Sequence, residues 1–216
     1  MDLETQGEGA LMAHCQSRID LTAAPISASA PPVDEMQLRQ EWRTPPKFLA
    51  ALSREFAIGV DVASSDDNAV ARNHLTREMD GLSRSWFRLE DAGHVVHYPR
   101  VAWCNPGFKD LGAWVAKAIQ EVDANPGCVA LIMGTAAPST IWWARALAAG
   151  AEIRLLAPRV QFVAPPGIKQ SSNARENALV IIRSQVGGAA IMRERRAHIW
   201  TWRWDAEAAL TNSEES

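Results

Sequence analysis

Short apolar blocks alternate along the chain with stretches whose apolar residues recur at helical spacing. Ala57-Ile58-Gly59-Val60-Asp61-Val62-Ala63 is an apolar block with one acid near its end, followed by the polar run Ser64-Ser65-Asp66-Asp67-Asn68. This predicts a buried strand running into a loop. After an irregular stretch to Pro99, Val101-Ala102-Trp103-Cys104 predicts a second strand, halted by Asn105-Pro106-Gly107. Leu111, Trp114, Val115, Ala118, Ile119 and Val122 predict a helix that Asn125-Pro126-Gly127 ends. The alternation repeats with a strand over Val129 to Met133, a loop from Gly134 to Pro138, a helix over Ser139 to Ala149 and a strand over Ile153 to Leu156. Such an order implies a parallel sheet with helices on its faces.

Upstream, Thr44-Pro45 reads as a helix start, a capping hydroxyl followed by proline. Phe48, Leu49, Leu52 and Phe56 then share one face of a helix from Pro46 to about Glu55. Near the other end, Leu179-Val180-Ile181-Ile182 and the run from His198 to Trp204 flank Gly187-Gly188 and a charged stretch. The simplest account is an antiparallel hairpin at one edge of the sheet. Trp200, Trp202 and Trp204 would then lie on one strand face, as core or interface packing rather than a base-stacking platform. Trp142-Trp143 reads as helix packing.

A chain of 216 residues that is 47% hydrophobic has the length and apolar content of one domain. Residues 1–40 hold the small, proline-rich run from Leu21 to Pro32 and are expected to form a disordered arm. The folded domain is expected over 41–206, with a flexible tail over 207–216. Met1-Asp2-Leu3-Glu4 lacks the apolar run of a signal peptide, and no stretch reaches the ~18 apolar residues of a membrane span, so a soluble cytoplasmic protein is expected. Three cysteines at irregular spacing make no disulfide framework. The formal net charge of -3 argues against indiscriminate coating of nucleic acid. Between Ala151 and Trp204, however, nine basic residues (Arg154, Arg159, Lys169, Arg175, Arg183, Arg193, Arg195, Arg196, Arg203) face three acidic ones. Two readings stand, a phosphate-facing side or a solvated surface.

In open parallel sheets ligands bind beyond the carboxyl ends of the strands. Asp61, Asn105 and Thr135 fall at such ends. An acid at the first position accepts hydrogen bonds from ribose hydroxyls or an amine; it is as commonly a turn or capping residue. Asn followed by Pro brings an amide oxygen and a backbone carbonyl together, able to accept both hydrogens of an exocyclic amine, and Phe108 can stack on the base that carries it. Taken alone, Asn105-Pro106-Gly107 reads as a plain turn before a base grip. The long polar loop from Pro165 to Arg175 either closes over a substrate or is a surface loop, with Lys169, Ser171, Ser172 and Arg175 as its contact candidates. Arg193-Glu194-Arg195-Arg196 reads as a solvated turn before a DNA contact. His94, His97 and Cys104 lack a fourth ligand and a catalytic acid, so no metal is expected.

Several segments, in order, resemble the phage DNA adenine-N6 methyltransferase (Dam-like) family. Glu41-Trp42-Arg43-Thr44-Pro45-Pro46 is similar to its Trp-x-Thr-Pro segment, and Gly59-Val60-Asp61-Val62-Ala63-Ser64 with Asn68-Ala69 to its Leu-Asp-x-Ala-Ala segment. Asp80-Gly81-Leu82 with Trp86 then precedes Trp103-Cys104-Asn105-Pro106-Gly107-Phe108, and Trp114-Val115 follows. Gly150 to Arg154 and Ala178 to Ile181 match its closing strands, so the likeness runs from about Gln40 to Arg183. The resemblance implies a Rossmann-like S-adenosylmethionine-dependent methyltransferase fold and a phage or prophage protein acting on DNA. It implies Asp61, Thr44, Pro45 and Asn105 at the donor, and a flipped adenine held by Asn105, the Pro106 carbonyl and Phe108, with Gly107 against the base. The family's motif is Asn-Pro-Pro-Tyr or Asp-Pro-Pro-Tyr, so Gly107 and Phe108 depart from it. Glycine frees a backbone angle and adds an N–H, which predicts a looser or differently shaped loop. A cytosine-N4 enzyme, transfer of a larger group, or a silent DNA- or donor-binding module are the alternatives this opens.

Overall fold

Strands that are apolar on both faces need cover on both faces, and this sheet has it. The computed structural model describes residues 42–91, 94–97, 99–170, 174–184 and 197–209, with side chains left out at 89–98 and 207–209. The expected arm over 1–40, Ser171, Ser172, Arg193 to Arg196 and residues 210–216 lie outside the described residues. Those described fall in one compact unit within Asp34–Ser216.

In chain order the elements are α1 (Pro46–Ser53), β1 (Val60–Asp61), β2 (Asn73–His74), β3 (Leu89–Asp91), β4 (His94–His97) and β5 (Val101–Cys104). A 3-10 turn (Phe108–Asp110) leads into α2 (Leu111–Ala124), then β6 (Val129–Thr135), α3 (Ile141–Ala148), β7 (Glu152–Leu156), β8 (Asn177–Arg183), β9 (His198–Trp202) and α4 (Trp204–Ala209). Seven strands form one sheet in the order β2-β1-β5-β6-β8-β7-β9, and β3 with β4 makes a separate two-stranded ribbon. All neighbours in the large sheet are parallel except β8, which runs antiparallel to both β6 and β7. The fold is the expected Rossmann-like α/β one.

The antiparallel pairing sits elsewhere than expected. The two segments assigned to an edge hairpin, β8 and β9, are not partners: β7 lies between them, and β9 pairs with β7 in parallel. Burial explains the placement. β8 is buried at six successive positions, Asn177 to Ile182, which an edge strand cannot be, whereas β9 is mostly exposed from His198 to Thr201. The tryptophan alternation also breaks, because Trp204 starts α4 instead of continuing the strand. All three tryptophans nevertheless pack in the core layer beside α1, as expected.

Alternation along the central strands sends side chains to two cores. Ala102, Cys104, Ala130, Ile132, Val180 and Ile182 face α2 and α3, meeting Leu111, Val115, Ala118, Trp142 and Trp143. Trp103, Leu131, Met133, Leu179 and Ile181 face the other way, against Phe48 and Leu52 of α1 and Trp204 of α4. Each large side chain so buried contributes about 1.5–3 kcal/mol. Among the described residues no helix is long and apolar enough to cross a membrane.

The stretch read as irregular is a strut behind β1. Glu121, buried on α2, accepts hydrogen bonds from the Trp86 N–H (3.0 Å) and the Ser85 hydroxyl (3.3 Å) and pairs with Lys117 at 2.7 Å. The Trp86 indole donates to the Gly81 carbonyl at 2.7 Å and its ring lies 6.2 Å from that of Trp114. Gly81 is where this strut touches the sheet: a Cβ there would stand 2.2 Å from the Val62 carbonyl oxygen and 3.0 Å from the Trp114 ring. Gly81→Ala is therefore expected to push the strut off β1 and lower unfolding stability by about 2 kcal/mol or more, read from urea denaturation midpoints.

Candidate functional site

β1 and β5 are adjacent and parallel, with Asp61 level with Trp103, so Asp61 and Asn105 emerge side by side at the same sheet edge. Asp61 is 2% exposed. One carboxylate oxygen accepts from the Ala63 N–H at 3.3 Å and the other from the Val70 N–H at 3.1 Å. Burial pushes its pKa up from 3.8 to about 6, a rise that those two N–H groups and nearby His74 oppose but do not cancel. The loop after β1 turns back through Asn68, whose side-chain oxygen accepts from the Ser65 N–H at 2.7 Å. Its far end is held where His74 Nε2 meets Asp66 at 2.8 Å, a contact that raises the His74 pKa.

Asn105 is anchored from the segment before α1. Its amide nitrogen donates to the Thr44 hydroxyl at 3.2 Å and to the Trp42 carbonyl at 3.4 Å. The expected capping role of Thr44 is thereby corrected: Pro45 occupies the N-cap of α1 with no side-chain cap, and the buried Thr44 hydroxyl serves Asn105 instead. With both amide donors directed at Thr44 and Trp42, the Asn105 side-chain oxygen is left as an acceptor.

A pocket opens at this edge, lined by Trp42, Arg43, Thr44, Asp61, Ala63, Asn68, Val70 and Asn105. It joins three of the expected donor-site residues, Thr44, Asp61 and Asn105. Pro45 and Thr135 are not among its lining; Thr135 stands at the end of β6, level with Asn177. Trp42, Arg43, Ala63, Asn68 and Val70 complete the lining without having been singled out for it. Arg43 was legible only as the neighbour of Thr44, and Val70 contributes a backbone N–H, which no side chain advertises.

Pro106 is buried and Gly107 half-buried. Gly107 has φ -56° and ψ 134°, the angles a proline itself adopts. The loop thus keeps a proline-like path, in place of the differently shaped one the glycine suggested. Phe108 opens the 3-10 turn into α2, its ring 6.2 Å from that of Phe162 in an edge-on contact.

Phe162 belongs to the long loop between β7 and β8, which is tied to the site. Arg43 and Val163 exchange two backbone hydrogen bonds of 2.9 Å. Gln170 clasps the loop, donating to the Phe162 carbonyl (2.7 Å) and accepting from the Ala164 N–H (3.0 Å). Lys169 and Arg175 are exposed on it.

The basic stretch offers less positive surface than its count suggests. Arg154 is buried, bound to Glu55 and Glu152 at 2.7 Å and covered by the Trp200 and Trp202 rings, and Arg183 meets Glu152 at 2.6 Å. Arg159 and Arg203 have acidic neighbours at 3.7 and 3.9 Å. Among the described residues no group of three or more His, Cys, Asp or Glu is placed to hold a metal ion.

Residues 34–198 match the family described as DNA N-6-adenine-methyltransferase (Dam). No curated protein sequence matches the chain. One similar solved structure is described as a predicted O-methyltransferase from Agrobacterium tumefaciens, 15% identical, covering 72% of this chain and 84% of that one with a TM-score of 0.35.

Two outcomes follow from the geometry. Between about pH 4 and pH 6 native Asp61 keeps a proton that the unfolded chain has released, so this group lowers stability as pH rises through that interval. Denaturation curves across it are expected to show wild type losing about 3 kcal/mol relative to Asp61→Asn. Gly107→Pro fits the existing backbone angle and is expected to leave the melting temperature unchanged or raise stability by about 0.5 kcal/mol, read by thermal unfolding.

Proposed function

Because the chain belongs to the DNA N-6-adenine-methyltransferase (Dam) family, we propose that it moves a methyl group from S-adenosylmethionine to the N6 amine of a flipped-out adenine in DNA, with Asn105 holding that amine. The observation that carries this reading is the fixed sense of the Asn105 amide. Its nitrogen is engaged by Thr44 and Trp42, so an oxygen is what it offers a ligand. An oxygen accepts a hydrogen from an exocyclic amine and repels a carbonyl.

The pocket residues fit the donor. Each Asp61 carboxylate oxygen takes one hydrogen bond from the protein, leaving capacity for an ammonium or a ribose hydroxyl, and a buried pocket nitrogen, Nε of Arg43, has no partner. When bound, S-adenosylmethionine supplies an electrophilic methyl group. Asn105 Oδ1 and the Pro106 carbonyl would accept the two amine hydrogens and stabilise the positive charge that nitrogen acquires as it takes the methyl from sulfur; S-adenosylhomocysteine would leave, and nitrogen would then lose one proton to solvent. Phe108, backed by Phe162, stacks on the extruded base. Lys169 and Arg175, exposed on the loop that carries Phe162, are the proposed phosphate contacts. Thr44 acts on the reaction through Asn105, as a positioning residue.

The test is nucleoside mass spectrometry of DNA incubated with protein and S-adenosylmethionine. N6-methyldeoxyadenosine is expected with wild type and absent with Asn105→Ala. Thr44→Val is expected to lower kcat by roughly tenfold or more, a larger factor than its effect on donor Kd, since Thr44 also lines the pocket. Methylated deoxycytidine in place of deoxyadenosine would overturn the choice of base, and donor binding with no product on any DNA would overturn catalysis.

A further inference from the structure

We propose that Arg43 is the residue that binds the carboxylate of the donor's amino-acid end, an inference that rests on the donor assignment above. Four observations lead there. Arg43 lines the same pocket as Asp61 and Asn105. Its Nε is buried and has no hydrogen-bond partner, and a buried donor left without a partner is unfavourable unless a ligand satisfies it. Its backbone is pinned in both directions to Val163, so the side chain starts from a fixed point and loses little freedom when a ligand arrives.

The fourth observation is charge. Arg43 is the one cation and Asp61 the one anion among the eight residues that line the pocket. A methyl donor ending in an amino acid presents an ammonium and a carboxylate together. A pocket with one charge of each sign complements that zwitterion, whereas a pocket for an uncharged nucleoside would need neither. Guanidinium suits the task because its planar donors match the two oxygens of a carboxylate.

The assignment separates Arg43 from its neighbours. Thr44 and the Trp42 carbonyl orient the Asn105 amide, and Arg43, between them in sequence, faces the donor. One short segment would therefore register both partners of the transfer.

Calorimetric titration of the full chain tests this with two probes, S-adenosylhomocysteine and its decarboxylated analogue, which keeps the amine and lacks only the carboxylate. Wild type is expected to bind S-adenosylhomocysteine about tenfold or more tightly than the analogue. Arg43→Gln is expected to abolish that preference, weakening S-adenosylhomocysteine while leaving the analogue within about twofold, and Arg43→Lys to retain part of it. Equal weakening of both probes by Arg43→Gln would overturn the proposal, since the residue would then only support the pocket. So would unchanged S-adenosylhomocysteine affinity with weakened duplex DNA binding, which would make Arg43 a phosphate contact. If Arg43→Gln fails to fold, Arg43→Lys decides, and either an undiminished preference there or no preference in wild type rejects the assignment. Wild type that binds neither probe would reject the donor assignment itself, and this inference with it.

Discussion

Everything in this molecule hangs on a sheet whose middle strands are apolar on both faces. Ala102, Cys104, Ala130 and Ile132 point one way and Trp103, Leu131 and Met133 the other, all nearly free of solvent. Polar side chains have no place along such strands and gather where the strands end. The carboxyl edge is thus the only rim of β1 and β5 where Asp61 and Asn105 can meet. The demand for two covering layers also explains α1: it lies opposite α2 and α3, and the segment leading into it must cross the sheet's edge. That crossing delivers Trp42, Arg43 and Thr44 to the site.

Legibility followed the strength of the local signal. Period and length made α1, α2, α3, β5, β6 and β7 readable to within a few residues, since each presents an apolar stripe or block bounded by proline, glycine or asparagine. Strands β2, β3 and β4 are two to four residues long, too short to show any period. The location of β8 was hidden for another reason: a continuous apolar run says that both faces are buried but carries no information on direction or neighbours. At Trp204 the alternation of Trp200 and Trp202 continued past the point where the backbone turns helical. In the site, strand ends identified Asp61 and Asn105, whereas Thr44 carried two plausible duties, capping and anchoring, and only the approach of Asn105 separates them.

Charge along the sequence and charge in space differ. Arg154 and Arg183 looked available to phosphate, yet both are taken up in joining α1, β7, β8 and β9 through Glu55 and Glu152. The aromatic cover over Arg154 and its largely buried position mark it as internal framework. Lys169 and Arg175, on the loop clasped by Gln170, remain on the outside. Of the described arginines in the basic stretch, Arg154, Arg159, Arg183 and Arg203 thus each have an acidic neighbour.

The place of β8 has a consequence for how the chain comes together. β6 and β7 are synthesised first, and neither touches the other in the finished sheet; a strand made later must be laid between them, antiparallel to both. Until residues 177–183 have left the ribosome, β6 has one open side and β7 has neither of its final neighbours, because β9 comes later still. A nascent chain halted before that point would expose three unpaired strand edges, one on β6 and two on β7, of the kind that recruit other chains. The last quarter of the sequence, far from Asn105, thus governs whether the sheet that displays Asn105 exists at all.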